Sequence, residues 1–117
     1  MATVTVSMDN QKKPRPSVET LDLSSEPSPT TITWTLDSSA AGYRFKVYSE
    51  DSTYGIDLRG NPPATAFSAW TPNDPTTPTS VSCNAANNDN KTWKYRIHLV
   101  SLSTGETVWV DPSIKDK

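Results

Sequence analysis

Trp93-Lys94-Tyr95-Arg96-Ile97-His98-Leu99 is the stretch that decides the fold. Its apolar residues occupy the odd positions and its basic or titratable ones the even positions, a period of two that sends alternate side chains to opposite faces of a strand. Thr31-Ile32-Thr33-Trp34-Thr35-Leu36 repeats the pattern more cleanly, with β-branched threonines between the apolar positions. No window carries the apolar spacing of an amphipathic helix over three turns.

Outward from these two strands the same period recurs. Val4, Val6 and Met8 form the apolar face of a first strand, and Leu21 with Leu23 marks a short second one. Tyr43, Phe45 and Val47 alternate with Arg44 and Lys46; weaker strands are expected at Tyr54–Leu58 and Ala66–Trp70. Val81 with Cys83 marks another, and Val108 with Val110 closes the series. Ten prolines and four glycines punctuate the chain. Roughly nine short strands at a spacing of about 8–12 residues predict an all-β, immunoglobulin-like antiparallel β-sandwich, a single domain over residues 1–117. Read in that order, the strands at Tyr43, Trp93 and Val108 are neighbours in one sheet, and those at Ile32, Ala66 and Val81 belong to the other. Gly105 suits a left-handed hairpin position, and Asn87-Asn88-Asp89-Asn90 suits a tight Asx turn. Lys12-Lys13-Pro14-Arg15-Pro16 and the proline-rich Trp70–Thr79 read as loops.

Composition sets the class of partner. Eleven Lys and Arg stand against thirteen Asp and Glu, a net charge of −2, so no global field recruits nucleic acid or a membrane surface. Mean hydropathy is −0.61, and no apolar run approaches the roughly 20 residues of a membrane span. The start of the chain lacks the basic and apolar regions of a secretory leader, and Cys83 has no partner for a disulfide; both favour the cytoplasm.

Ser25-Glu26-Pro27, ahead of the Ile32 strand, and Val108-Trp109-Val110-Asp111-Pro112-Ser113-Ile114 at the other end resemble a small bacterial family called DP-EP after its Asp-Pro and Glu-Pro motifs. The same ending is similar to the larger inclusion-body proteins of the AidA/PixA type. The resemblance implies an immunoglobulin-like sandwich and carries over no catalytic residues. On the residues themselves, Pro27 and Pro112 read as punctuation at a strand start and a strand end, where proline protects an edge from further pairing.

No catalytic constellation emerges. Cys83 shares phase with Val81 and points inward, whereas His98 shares phase with Lys94 and Arg96 and points outward, so the chain's single cysteine and single histidine do not meet. No phosphate-binding loop or nucleophile-elbow pattern occurs, and Cys and His are too few for a structural zinc site. Calcium ligation through Asp89 and its asparagines, or through Glu50, Asp51 and Asp57, lacks the spacing of a calcium loop. The protein is read as a non-enzyme with no cofactor and no metal.

Phase and neighbourhood together single out one surface: Arg44, Lys46, Tyr48, Lys94, Arg96, His98 and Trp109 on the outer face of the second sheet. It is basic and aromatic on an acidic protein, and Trp109 is out of phase with Val108 and Val110. Such a face suits a protein partner or self-association; the alternative is a sugar or small anionic ligand, for which Trp70 offers a second stacking platform. Solvated Lys and Arg also serve simply to keep an outer sheet face soluble.

Overall fold

A computed structural model describes all 117 residues. Its strands in chain order are β1 (Ala2–Met8), β2 (Pro14–Pro16), β3 (Thr20–Asp22), β4 (Thr30–Leu36), β5 (Tyr43–Phe45), β6 (Ile56–Leu58), β7 (Phe67–Pro72), β8 (Ser80–Ala85), β9 (Thr92–Ser101), β10 (Thr107–Val110) and β11 (Ser113–Lys115). One turn of 3-10 helix, Ser38–Ala40, follows β4 and is capped by the Asp37 carboxylate. The first sheet runs β2-β1-β4-β8-β7 and the second β10-β9-β11-β3, with β5 and β6 also on β9. The strands expected to share a sheet do so. Both sheets are mixed rather than wholly antiparallel, because β1 lies parallel to β4 and β3 parallel to β11.

β9 organises the second sheet. On one side β10 and β11 pair with it in a single register, Trp109 opposite His98 and Ile114 opposite Trp93, so they form one strand broken only at Asp111-Pro112. On the other side β5 places Phe45 opposite Leu99 and β6 places Ile56 opposite Ile97. Between them the chain leaves the sheet over Lys46–Gly55 and returns to the same strand line.

The inward phases of β1, β4, β8 and β9 meet in a core that includes Val4, Val6, Ile32, Trp34, Val81, Cys83, Tyr95, Ile97 and Leu99. Accessible surface falls to 6190 Å², beside the roughly 6,300 Å² of a fully folded monomer of this mass. At the centre Trp34 of β4 donates its Nε1–H to the Tyr95 hydroxyl of β9 at 3.0 Å. The rings meet edge to face at 5.7 Å, and Trp70 stacks on Trp34 at 5.9 Å. An indole N–H buried without an acceptor costs about 1–3 kcal/mol, so the tyrosine is what permits a tryptophan here.

Two readings of the sequence need correction. Pro14–Pro16 forms an edge strand rather than a loop. Backbone bonds to β1 fall at Asp9–Lys13 and Ser17–Thr5, so by two-residue alternation Pro14 and Pro16 point their missing N–H groups away from β1, where none is required. Trp70, Thr71 and Pro72, read as the start of a loop, belong to β7: the register shifts between Ser68 and Thr71, with Ala69 at φ +55°, and this bulge turns both Phe67 and Trp70 toward the core.

Tyr95→Phe keeps the ring packing but strands the Trp34 Nε1–H. We expect a loss of about 1–3 kcal/mol, read as a lower midpoint in chemical denaturation at unchanged slope; an unchanged midpoint would show that the bond contributes nothing net.

Candidate functional site

The outer face of the second sheet carries Lys94, Arg96 and His98 of β9 with Trp109 of β10. Cross-strand partners point to the same side, and Trp109 sits directly opposite His98. Trp109 is 48% exposed, the largest side chain so displayed. The Arg96 guanidinium lies over its indole, 4.3 Å from the ring centroid, and covers part of the ring with a cation. Across β9, Asp57 of β6 opposes Arg96 and is itself paired with Arg59 at 2.8 Å.

His98 is fixed by Gly55. Its backbone N–H donates to the Gly55 carbonyl at 2.8 Å, and its ring Nδ1 lies 3.2 Å from the same oxygen. A carbonyl only accepts, so Nδ1 is the donor in this contact. Gly55 has φ +90°, and a Cβ there would stand 2.6 Å from the His98 carbonyl oxygen. No other residue fits this return to the sheet.

The remaining members of the sequence-derived face lie apart. Arg44 is on the sheet, but its guanidinium is committed to both Glu50 oxygens, at 2.8 and 3.3 Å, and to the Phe45 carbonyl. That clamp holds the Glu50 carboxyl below its usual range and closes the excursion after β5. Lys46 and Tyr48 belong to this excursion, not to the sheet; Tyr48 packs against Tyr54 with centroids 6.2 Å apart. Trp70 lines a separate cleft of about 290 Å³ with Pro62, Pro63 and Phe67. It stands on β7, at the opposite edge of the first sheet from β2, so it does not join Trp109 in one site.

A groove of about 510 Å³ lies between the edges of the two sheets, lined by Lys13, Pro14 and Arg15 of the β2 hairpin and by Thr107–Asp111. Lys13 enters no ion pair, whereas Arg15 donates its Nε–H to Asp9 at 2.9 Å. Nothing in the local sequence announces this juxtaposition, since it needs the mutual placement of two sheets. The only hint is the pair of basic residues flanking a proline.

Elsewhere the titratable groups serve the fold. Cys83 is buried in β8, where burial pushes its thiol up to about 12, and His98 is on the outer face of the opposite sheet. Asn87, fully buried with φ +54°, donates to the carbonyls of Leu23, Glu26 and Pro27 and accepts from Lys117 N–H, tying three segments together. Asp89 accepts from Lys91 N–H and from Trp93 Nε1. Asp116, 2% exposed with one oxygen unpartnered, is pushed up to about 7 by burial and then by the neighbouring Asp89. No group of three or more acidic, Cys or His side chains is placed to hold a metal ion. No family model matches the chain, and no curated protein matches it significantly.

Two outcomes follow from these placements. The folded-state value of Asp116, about 7, lies above its unfolded value of 3.8, so its contribution to stability is complete below the unfolded value and is lost as pH rises toward the folded one. Asp116→Asn removes that loss: the variant gains on the wild type between about pH 4 and pH 7 in denaturation series, and a constant difference would contradict the assignment. Gly55→Ala should destabilise by about 1–3 kcal/mol through strain and the backbone clash, and should shift the His98 ring resonances in NMR spectra. Wild-type His98 resonances in that variant would contradict the coupling.

Proposed function

We propose that the protein is a non-catalytic binding module whose contact surface is the outer face and adjoining edge of the second sheet, centred on Trp109, and that it engages another protein or a second copy of itself. The observation that carries this reading is the half-exposed Trp109 stacked under the Arg96 guanidinium beside an open groove. Trp and Arg are among the residue types most enriched where binding energy concentrates. The Ser25-Glu26-Pro27 and Asp111-Pro112 motifs support an immunoglobulin-like member of a DP-EP-type bacterial family, and the unpaired Cys83 supports a cytoplasmic setting.

A second reading, a small anionic or sugar ligand, draws on the size of the groove, which falls within the range of about 300–1,000 Å³ typical of ligand sites. Phosphate and simple sugars then quench or shift tryptophan fluorescence, and the response disappears in Trp109→Ala.

The primary test pairs light scattering over a concentration series with selection from a displayed random-peptide library, using wild type and a Trp109→Ala/Arg96→Glu double variant. Selected peptides, or the self-association constant, are expected to weaken by about tenfold or more in the double variant. Equal binding by the folded double variant would remove this face as the contact surface.

A further inference from the structure

The backbone of β10 is left half-paired. Its bonds to β9 are phased by Ser101 N–H to Glu106 C=O at 2.8 Å and Tyr95 N–H to Pro112 C=O at 3.0 Å, so alternation assigns Val108 and Val110 to the β9 ladder. Thr107 and Trp109 therefore direct their N–H and C=O groups away from β9. β3 covers the next stretch of this strand line by pairing with β11, from Ser113 to Lys115, and stops short of β10. No strand pairs with β10 on that side, although β2 stands across the groove.

The other edges of the sandwich are protected. β2 carries Pro14 and Pro16; β7 is bulged at Ala69 and ends at Pro72; β3 is three residues long; β5 and β6 are separated by the Lys46–Gly55 excursion. Prolines, bulges and interruptions are the means by which edge strands avoid unwanted pairing. β10, Thr107-Val108-Trp109-Val110, has none of these within it and has no charged residue.

We propose that β10 is a strand-addition site that captures an extended peptide of alternating apolar and acidic residues, using the Thr107 and Trp109 backbone groups for pairing. This rests on the binding-module reading and names its partner. Side chains of an added strand alternate between the two faces of the sheet. Those on the inner side meet half-buried Val108 and Val110 at the mouth of the sandwich. The charged groups around β10 are Lys13 and Arg15 across the groove, Arg96 over Trp109, Lys94 further along the same face, and Lys12 beside Val108; Asp111 and Glu106 flank the strand at its two ends, and Asp9 holds the Nε of Arg15. The unpaired Lys13 and the Arg96 row make acidic side chains the complementary ones.

The experiment titrates the protein with a blocked peptide of alternating valine and glutamate, long enough to run the length of β10, and follows Trp109 fluorescence and backbone amide shifts. The controls are the valine–lysine analogue and a valine–glutamate peptide N-methylated at alternate residues along one edge. Thr107→Pro removes one outward N–H while leaving the β9 ladder whole, and the Trp34-centred fluorescence and melting of the variant report its fold. Capture of the acidic peptide, weakened about tenfold by Thr107→Pro and by N-methylation on the pairing edge, is the expected result. Binding that ignores both changes but falls with Trp109→Ala overturns strand addition and leaves the side-chain contact surface standing. Binding lost with Thr107→Pro but indifferent to Trp109→Ala/Arg96→Glu supports strand addition and removes the side-chain surface. Equal binding of the lysine analogue, pairing of β10 only with a second copy, or no binding at all overturns the proposal.

Discussion

A single hydrogen bond across the sandwich, from Trp34 to the hydroxyl of Tyr95, joins the middle of one sheet to the longest strand of the other. It is short-range and buried, and it works only in one phase: sliding β9 by one residue would turn Tyr95 to solvent and push Lys94 or Arg96 into an apolar interior. The position of Tyr95 thereby determines that Lys94, Arg96 and His98 face outward. Because β10 and β11 share one register with β9, the same constraint puts Trp109 outside and Val108, Val110 and Ile114 inside. Burial pushes the Tyr95 phenol well above its usual range, so the hydroxyl stays neutral and serves as acceptor throughout the working pH range.

Around this axis the chain departs from regular pairing at a few places, each with a local cause. The Lys46–Gly55 excursion is closed at its start by the Arg44–Glu50 clamp and at its end by the left-handed Gly55 against His98. Asp111-Pro112 breaks the last strand where Pro112 has no N–H to give β9. The Ala69 bulge brings Trp70 beneath Trp34. These irregularities interrupt or protect the strand edges where they occur. Their joint effect is that the edge beside the exposed tryptophan is the one left plain.

The elements legible in the sequence were those whose side chains alternate against a single buried face. β4 and β9 read directly, and so did the exposure of Trp109, because Val108 and Val110 fix its phase. The glycine and asparagine turns were legible through backbone chemistry, with Gly105, Asn87 and Asn90 in the left-handed region. The features with no local signature depend on contacts distant in sequence. The parallel pairing of β1 with β4 and β3 with β11 leaves no local trace. Lys46 and Tyr48 continue an alternating pattern that Arg44 and Glu50 end through a side-chain clamp. Pro14 and Pro16 look like loop residues because composition does not say which way a missing N–H points. The groove, and with it the roles of Lys13 and Arg15, arises only when two sheets are brought edge to edge.

The core phase, the covered β11 and the protected edges elsewhere lead to one statement: the backbone of β10 is open on the side facing the groove. Amide hydrogen exchange resolved by residue tests it most directly, on the unmodified protein and without any ligand. Slow exchange at Val108 and Val110 alternating with fast exchange at Thr107 and Trp109 is the predicted result. Uniform protection along Thr107–Val110 would show that the edge is already occupied and would contradict the account.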